Sequence, residues 1–477
     1  MLLSAILIPV LLAPFAYFFD RHAKYFSLAA AVFVTLVGLI LWFNYPGQGF
    51  AFEEFYPIFP QWDFNLHLGV DALSIALIIL TGIITILVTL SSWNVERPGA
   101  YFFLILVFLG AMVGVFASLN YLWFFIFWEF TLVPMFFHIG IWGAENRIYA
   151  AVKFFLYTHL ASIFIFLAIL IIFVNTGHFD FFAIKEANLP LELQKIIWAL
   201  AFVGFIVKMP VVPFHTWLPD AHVQAPSPIS VILAGLLLKM GAYGLLRWNI
   251  ELFPEASKHF IYLMLAIGLL TVFHAAFKAL YEDHVKRMVA YSSINHMGLV
   301  LVAMATLTAA GISAAIFEMV AHALIISLMF MIAGYIHHMT GTWYISQMGS
   351  GLMKKAPFIS VLYMLGALGA LGFPGTAGFI GEVTAIYAAF DRFGWIALAL
   401  PFSAVLTAGF FFWAIRRMIH GEVSGLIAKI HPHPLPVVEK LPLMAYVALF
   451  VFLGIFPSVL FNFVNSYAET LGKVLGG

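Results

Sequence analysis

No cysteine occurs anywhere in the 477 residues, which removes disulfide frameworks, thiolate metal sites and iron–sulfur ligation from what the chain can carry by itself. Any redox chemistry therefore belongs to a partner. Charge is nearly as scarce: 9% of residues are Asp, Glu, Lys or Arg, the formal net charge is zero, and the basic residues form no long run. Nucleic acid requires a basic patch, so that class of partner is excluded. Neither a P-loop nor a dinucleotide fingerprint following a strand is present. What remains is apolar. Hydrophobic residues make up 64% of the chain and the mean hydropathy is +1.04, more than a soluble domain of this length can bury. The composition predicts an all-α integral membrane protein, with lipid as its surroundings.

A membrane span needs about 20 mostly apolar residues. The hydrophobic runs predict about fourteen, at 2–19, 25–43, 68–92, 100–118, 120–141, 149–174, 193–213, 227–246, 259–280, 288–308, 312–338, 356–390, 395–418 and 440–463. The N-terminal run lacks a basic region and continues apolar to Phe19, which predicts a retained span rather than a cleaved signal. Segment 356–390 is too long for one straight helix and is expected to break at Gly372-Phe373-Pro374-Gly375. Segment 44–67, with Glu53, Glu54 and Asp63, reads as an outer loop with some strand character. If the loops alternate, fourteen of the 22 basic residues share the face of the first loop, Lys286 among them, and six, Arg247 among them, lie on the other. The positive-inside rule then places the first loop in the cytoplasm and both termini outside, in an inner or plasma membrane.

Six ionisable residues fall inside these spans: Glu129, Lys208, Lys239, His296, His322 and Glu382. Each costs at least roughly 2.5–3.5 kcal/mol at bilayer depth by insertion scales, so together they point to an intramembrane ion or proton path. Lys208 is the natural partner for Glu129, and Lys239 is a second amine at mid-depth. The imidazoles of His296 and His322 suit proton shuttling. Glu318 lies four residues before His322, on the same helix face. Lys153 reads as interfacial, with the capacity to feed the path from the cytoplasmic side. His215, Asp220 and His222 resemble metal ligands but match no recognised zinc spacing, so no metal site is expected. Asp71 reads as a helix N-terminal charge. His337, His338, His431 and His433 fall at span ends or in loops and are expected to be solvated.

Two spans carry backbone breakers beside an ionisable residue. Pro210 and Pro213 leave the carbonyls of Ile206 and Met209 without helical donors next to Lys208, and Pro374 with its flanking glycines does the same near Glu382. Exposed backbone at membrane depth persists only where protein or a water-filled cavity satisfies it. Pro213 to Pro374, Lys208 to Glu382 and Glu129 to His296 are separated by 161, 174 and 167 residues. The two broken spans are the seventh and twelfth, and an odd separation implies opposite orientation. The spacing therefore predicts two inverted five-helix repeats, 98–250 and 258–420, flanked by helices in 1–97 and 421–477, with sites on the broken helices near the midplane.

The runs Phe127–Met135, Lys208–Pro228, Leu236–Gly244 and Phe379–Glu382 resemble the antiporter-like subunits of respiratory complex I, and the similarity extends over nearly the whole chain. Glu382, where related chains usually carry Lys, and the absence of a long lateral C-terminal helix place it within one branch of that family. The resemblance implies a fourteen-span fold with one broken helix in each repeat. It also implies pairing of Glu129 with Lys208, proton passage through Lys239, His296 and His322, and an exit side at Glu382. NAD, FMN, iron–sulfur clusters and quinone would belong to partner subunits, with none bound by this chain. Neighbouring antiporter-like subunits and other membrane subunits would be its partners and protons its cargo. Glu318 departs from some relatives, in which an uncharged polar residue is expected. Two other readings stay open at this point: a Na⁺/H⁺ antiporter subunit of a multi-subunit cation exchanger, and a passive scaffold.

Overall fold

The computed structural model describes residues 1–431 and 435–476, so His433 lies outside the described residues. Among the described residues, eleven helices are long and apolar enough to cross a membrane, and Leu2–Phe18 and Pro357–Ala370 are shorter apolar helices. With the broken helix Leu191–Lys208, these occupy the fourteen segments read from the sequence.

Two helices form the interior. Ser227–Glu251 and Ala309–Thr340 are apolar around their whole circumference, and their most hydrophobic stretches are 100% buried. A helix without a polar face must be surrounded by apolar neighbours, and here those neighbours are other helices of the same chain. Arg147–Thr176 is equally apolar but only 39% covered, leaving a broad outward stripe. Lys239 belongs to the first interior helix and Glu318 and His322 to the second.

At both predicted breaks the helix stops, and protein atoms take up the freed backbone groups. After Leu191–Lys208, the Ile206 carbonyl accepts the Val211 N–H at 3.1 Å and the Val207 carbonyl accepts the Trp217 indole N–H at 2.9 Å. The chain resumes as Trp217–Gln224. The second break separates Pro357–Ala370 from Ala377–Phe393. There Gly372 and Gly375 adopt φ of 68° and 90°, left-handed values that favour glycine.

The structure bears out the strand character of segment 44–67 and departs from the sequence reading at the third span and the last. Segment 44–67 contributes to an antiparallel hairpin of β1 (Ala51–Phe59) and β2 (Phe64–Val70). The third span starts later than predicted, at Ala72, because β2 runs to Val70 and Asp71 caps the helix by accepting the Ser74 N–H at 3.0 Å. The last span ends at Ile455, before Pro457, and a separate helix, Ser458–Leu475, follows. Asn462, Asn465, Ser466, Glu469 and Lys473 make that helix two-faced, too polar to be read as a span.

The hairpin ties helix ends together on its face of the molecule. Glu54 accepts the Leu2 and Leu3 N–H groups at 2.7 and 2.9 Å. The Asp63 carboxylate accepts the Phe179 N–H at 2.7 Å, and the Asp63 carbonyl accepts the Asn120 side-chain amide at 3.1 Å. His67 bridges Asp180 at 2.5 Å and Glu53 at 3.2 Å.

Candidate functional site: a buried line of ionisable side chains

Four of the six predicted residues are brought into one line, with Glu318 beside them. Lys239 Nζ donates to the Ala234 carbonyl at 2.7 Å and meets His322 Nδ1 at 2.6 Å. The His322 and His296 rings lie 5.5 Å apart. His296 Nδ1 is 2.8 Å from Glu318 Oε1 and 4.0 Å from Glu382 Oε1. Lys239, His322 and Glu318 are 1% exposed and His296 2%, so charge moving along the line is shielded from solvent.

Local backbone explains each placement. Wide π turns at Leu233–Leu237 and Leu245–Glu251 flank Lys239 on the interior helix; π-bulges recur at functional sites, and here one supplies the carbonyl that holds the amine. Glu318 and His322 stand one turn apart, yet they serve different partners. His322 reaches Lys239, and Glu318 reaches His296 rather than His322. Helix Ala309–Thr340 is wedged between the helices bearing these partners, and each side chain turns to its nearer neighbour. Space for the two carboxylates comes from missing side chains. A Cβ on Gly372 would lie 2.5 Å from Glu382 Oε2, and one on Gly381 would overlap the Glu318 carboxylate.

Lys208 and Glu129 form a second group, and the direct pair expected between them is not made. Lys208 is the last residue of its half-helix, where the helix dipole favours a cation. Its ammonium is buried without a hydrogen-bond partner, 5.2 Å from the centre of the Trp128 ring and 5.9 Å from that of Phe154. Glu129 turns the other way and bonds His159 Nδ1 through Oε2 at 2.9 Å, while its Oε1 is buried without a partner. His159 escaped the sequence reading. The only signal was an imidazole midway through an apolar span, weaker than a carboxylate or an amine in the same place.

Three further residues, Arg247, Lys286 and His337, sort differently from the sequence reading. Arg247 is not a loop residue: it is fully buried, paired with Asp71 at 2.7 Å and Glu251 at 2.5 Å, and this neutralisation lets helix Ser227–Glu251 run past its predicted end at 246. Lys286 is likewise buried and donates to the Ala225 carbonyl. His337 is not simply solvated, since its ring stacks on Trp343 at 3.9 Å. Asp220, His215 and His222 take separate contacts. Asp220 pairs with Lys153 at 2.6 Å, His215 faces His274 at 4.9 Å, and His222 stacks on Phe330 at 4.3 Å.

The geometry places buried groups able to take up and release protons next to one another. Residues 118–407 match the family model described as NADH:quinone oxidoreductase/Mrp antiporter, transmembrane. NADH-quinone oxidoreductase subunit M of Rickettsia prowazekii (strain Madrid E) is 35% identical over 458 residues, covering 95% of this chain and 93% of that protein. An NAD(P)H-quinone oxidoreductase chain 4 of Synechococcus sp. (strain JA-2-3B'a(2-13)) is 38% identical over 427 residues, covering 86% and 80%. A chain of respiratory complex I from Thermus thermophilus with bound NADH superposes with a TM-score of 0.91 at 25% identity, covering 100% of both chains. The chain belongs to the NADH:quinone oxidoreductase/Mrp antiporter family of transmembrane subunits.

Proposed function

We propose that this chain is the antiporter-like, subunit M type of membrane subunit in an NADH:quinone oxidoreductase, translocating protons while partner subunits carry the electrons. The observation that carries the reading is the close succession of buried Lys239, His322, His296 and Glu318, with Glu382 4.0 Å beyond His296, in a chain 35% identical to a subunit M over 95% of its length. Glu129 and Lys208 would act as the switch. Closing their pair would stabilise the ammonium, and opening it would release the Lys208 proton toward Lys239, an exchange that needs only side-chain movement.

In this reading NAD, FMN, iron–sulfur clusters and quinone reside in partner subunits, and neighbouring membrane subunits pass on the electrostatic signal. The uneven distribution of Lys and Arg supports both termini facing outward from an inner or plasma membrane. The matching positions of the breaks after Lys208 and Ala370 support inverted repeats over 98–250 and 258–420.

The test has two steps. This chain should migrate on native gels with the band that stains for NADH dehydrogenase. In that complex, Glu129→Gln should strongly lower proton pumping with assembly intact. Full pumping by the variant would overturn the switch, and migration only in a band without dehydrogenase activity would overturn the assignment.

A further inference from the structure

We propose that His159 is a second, outward-facing partner of Glu129 that competes with Lys208 for its carboxylate and opens the switch to charge outside this chain. The inference rests on the Glu129–Lys208 reading above.

Glu129 is poised between two partners. Its Oε2 is held by His159 Nδ1 at 2.9 Å, while Oε1 and the Lys208 ammonium are both buried without hydrogen bonds. Each such orphaned atom carries an uncompensated desolvation penalty. Turning the carboxylate to Lys208 would satisfy both orphans and give up the imidazole bond. The two arrangements thus trade one charge-assisted contact for another. A ligand or charge that favours one of two such states shifts the balance by its differential interaction with them.

His159 is built to be the outer of the two partners. It stands at the middle of the 30-residue helix Arg147–Thr176, at the depth of Glu129. Its ring is stacked on Phe155 at 5.3 Å and 13°, which fixes Nδ1 toward the carboxylate. The side chain is nevertheless 48% exposed, on a face it shares with the exposed Leu156, Leu160 and Ile163. Lys208 by contrast is 1% exposed and is reached only from within the chain. A positive charge on or beside the outer edge of His159 therefore draws Glu129 away from Lys208, and its removal frees the carboxylate to turn inward.

The test measures proton pumping per NADH oxidised in the assembled complex for His159→Gln, His159→Leu and Glu129→Gln. Gln keeps a hydrogen bond to the carboxylate but cannot take up charge. His159→Gln is expected to lose at least about fivefold in pumping, with NADH oxidation by an artificial acceptor unchanged. Neither His159 substitution should lower pumping further in a Glu129→Gln background. Wild-type pumping by His159→Gln would show the contact to be structural and overturn this inference, while a loss in Glu129→Gln alone leaves the switch standing. Full pumping by Glu129→Gln would overturn both. If His159→Leu fails to assemble on native gels, the closer-shaped Gln variant decides.

Discussion

Replacing Glu318 by Gln probes the step at which the buried line approaches its end. Glu318 is 2.8 Å from His296 and Glu382 is 4.0 Å away. With an effective dielectric constant of about 20, unit charges at these separations attract by about 6 and about 4 kcal/mol. The difference of about 2 kcal/mol means that an imidazolium at His296 is stabilised roughly 30-fold more by the nearer carboxylate. Glu318→Gln preserves shape and one hydrogen bond but removes that counter-charge, so a proton leaving His322 meets a less favourable acceptor. Pumping in inside-out vesicles, followed with a pH-sensitive dye during NADH oxidation, is expected to fall on the order of tenfold, within the 30-fold bound. Electron input to an artificial acceptor should be untouched, and Glu318→Asp should recover part of the loss. Pumping by Glu318→Gln within about twofold of wild type, beside a Glu382→Gln variant that does not pump, would refute the reasoning: protons would then pass from His296 to Glu382 without Glu318.

Two further outcomes concern the supports of the line. Asp71→Asn keeps the helix cap but leaves Arg247 with Glu251 alone; loss of one partner of a buried pair costs about 3–5 kcal/mol, so the purified complex should melt at a lower temperature, and an unchanged melting curve would remove Asp71 from the fold's essential contacts. At the hairpin, burial works against charge on His67, but hydrogen bonds and charge from Asp180 and then Glu53 outweigh it and hold the imidazole above its ordinary value. The stabilisation is then complete below about pH 6.5 and is lost as pH rises through the raised value. Hydrogen-exchange protection of residues 51–70, corrected for intrinsic rates, should fall with alkalinisation, and protection that stays flat into the alkaline range would count against the latch.

The spans and both breaks were legible because each has a strong local cause. About 20 apolar residues make a span wherever they occur, and Pro210, Pro213 and Pro374 interrupt a helix regardless of context. Intramembrane Lys239, His322, His296 and Glu382 stood out because their surroundings penalise them. Partnership was harder to read. Glu318 and His322 share a helix face by spacing alone, but which neighbour each meets depends on how Ala309–Thr340 lies between other helices. Arg247 looked like a loop residue because its counter-charge Asp71 is 176 positions away, and His159 became visible only when two helices were laid side by side. Ser458–Leu475 was missed for a different reason: its mixed polarity matches neither a span nor a loop, and only burial against the bundle explains it.

The hairpin's grip on neighbouring helix ends bears on how fast the switch can work. Asp63 holds Asn120, which caps the helix carrying Glu129, and also holds Phe179, just beyond the helix carrying His159. With those ends anchored to one small sheet, the two helices are not free to slide or hinge past each other, motions that occupy microseconds to milliseconds. In the proposed switch, exchange of the Glu129 carboxylate between its partners would then be a rotation about side-chain bonds and not a movement of helices. A switch of that kind would have its tempo set by the arrival of charge and not by the movement of the scaffold.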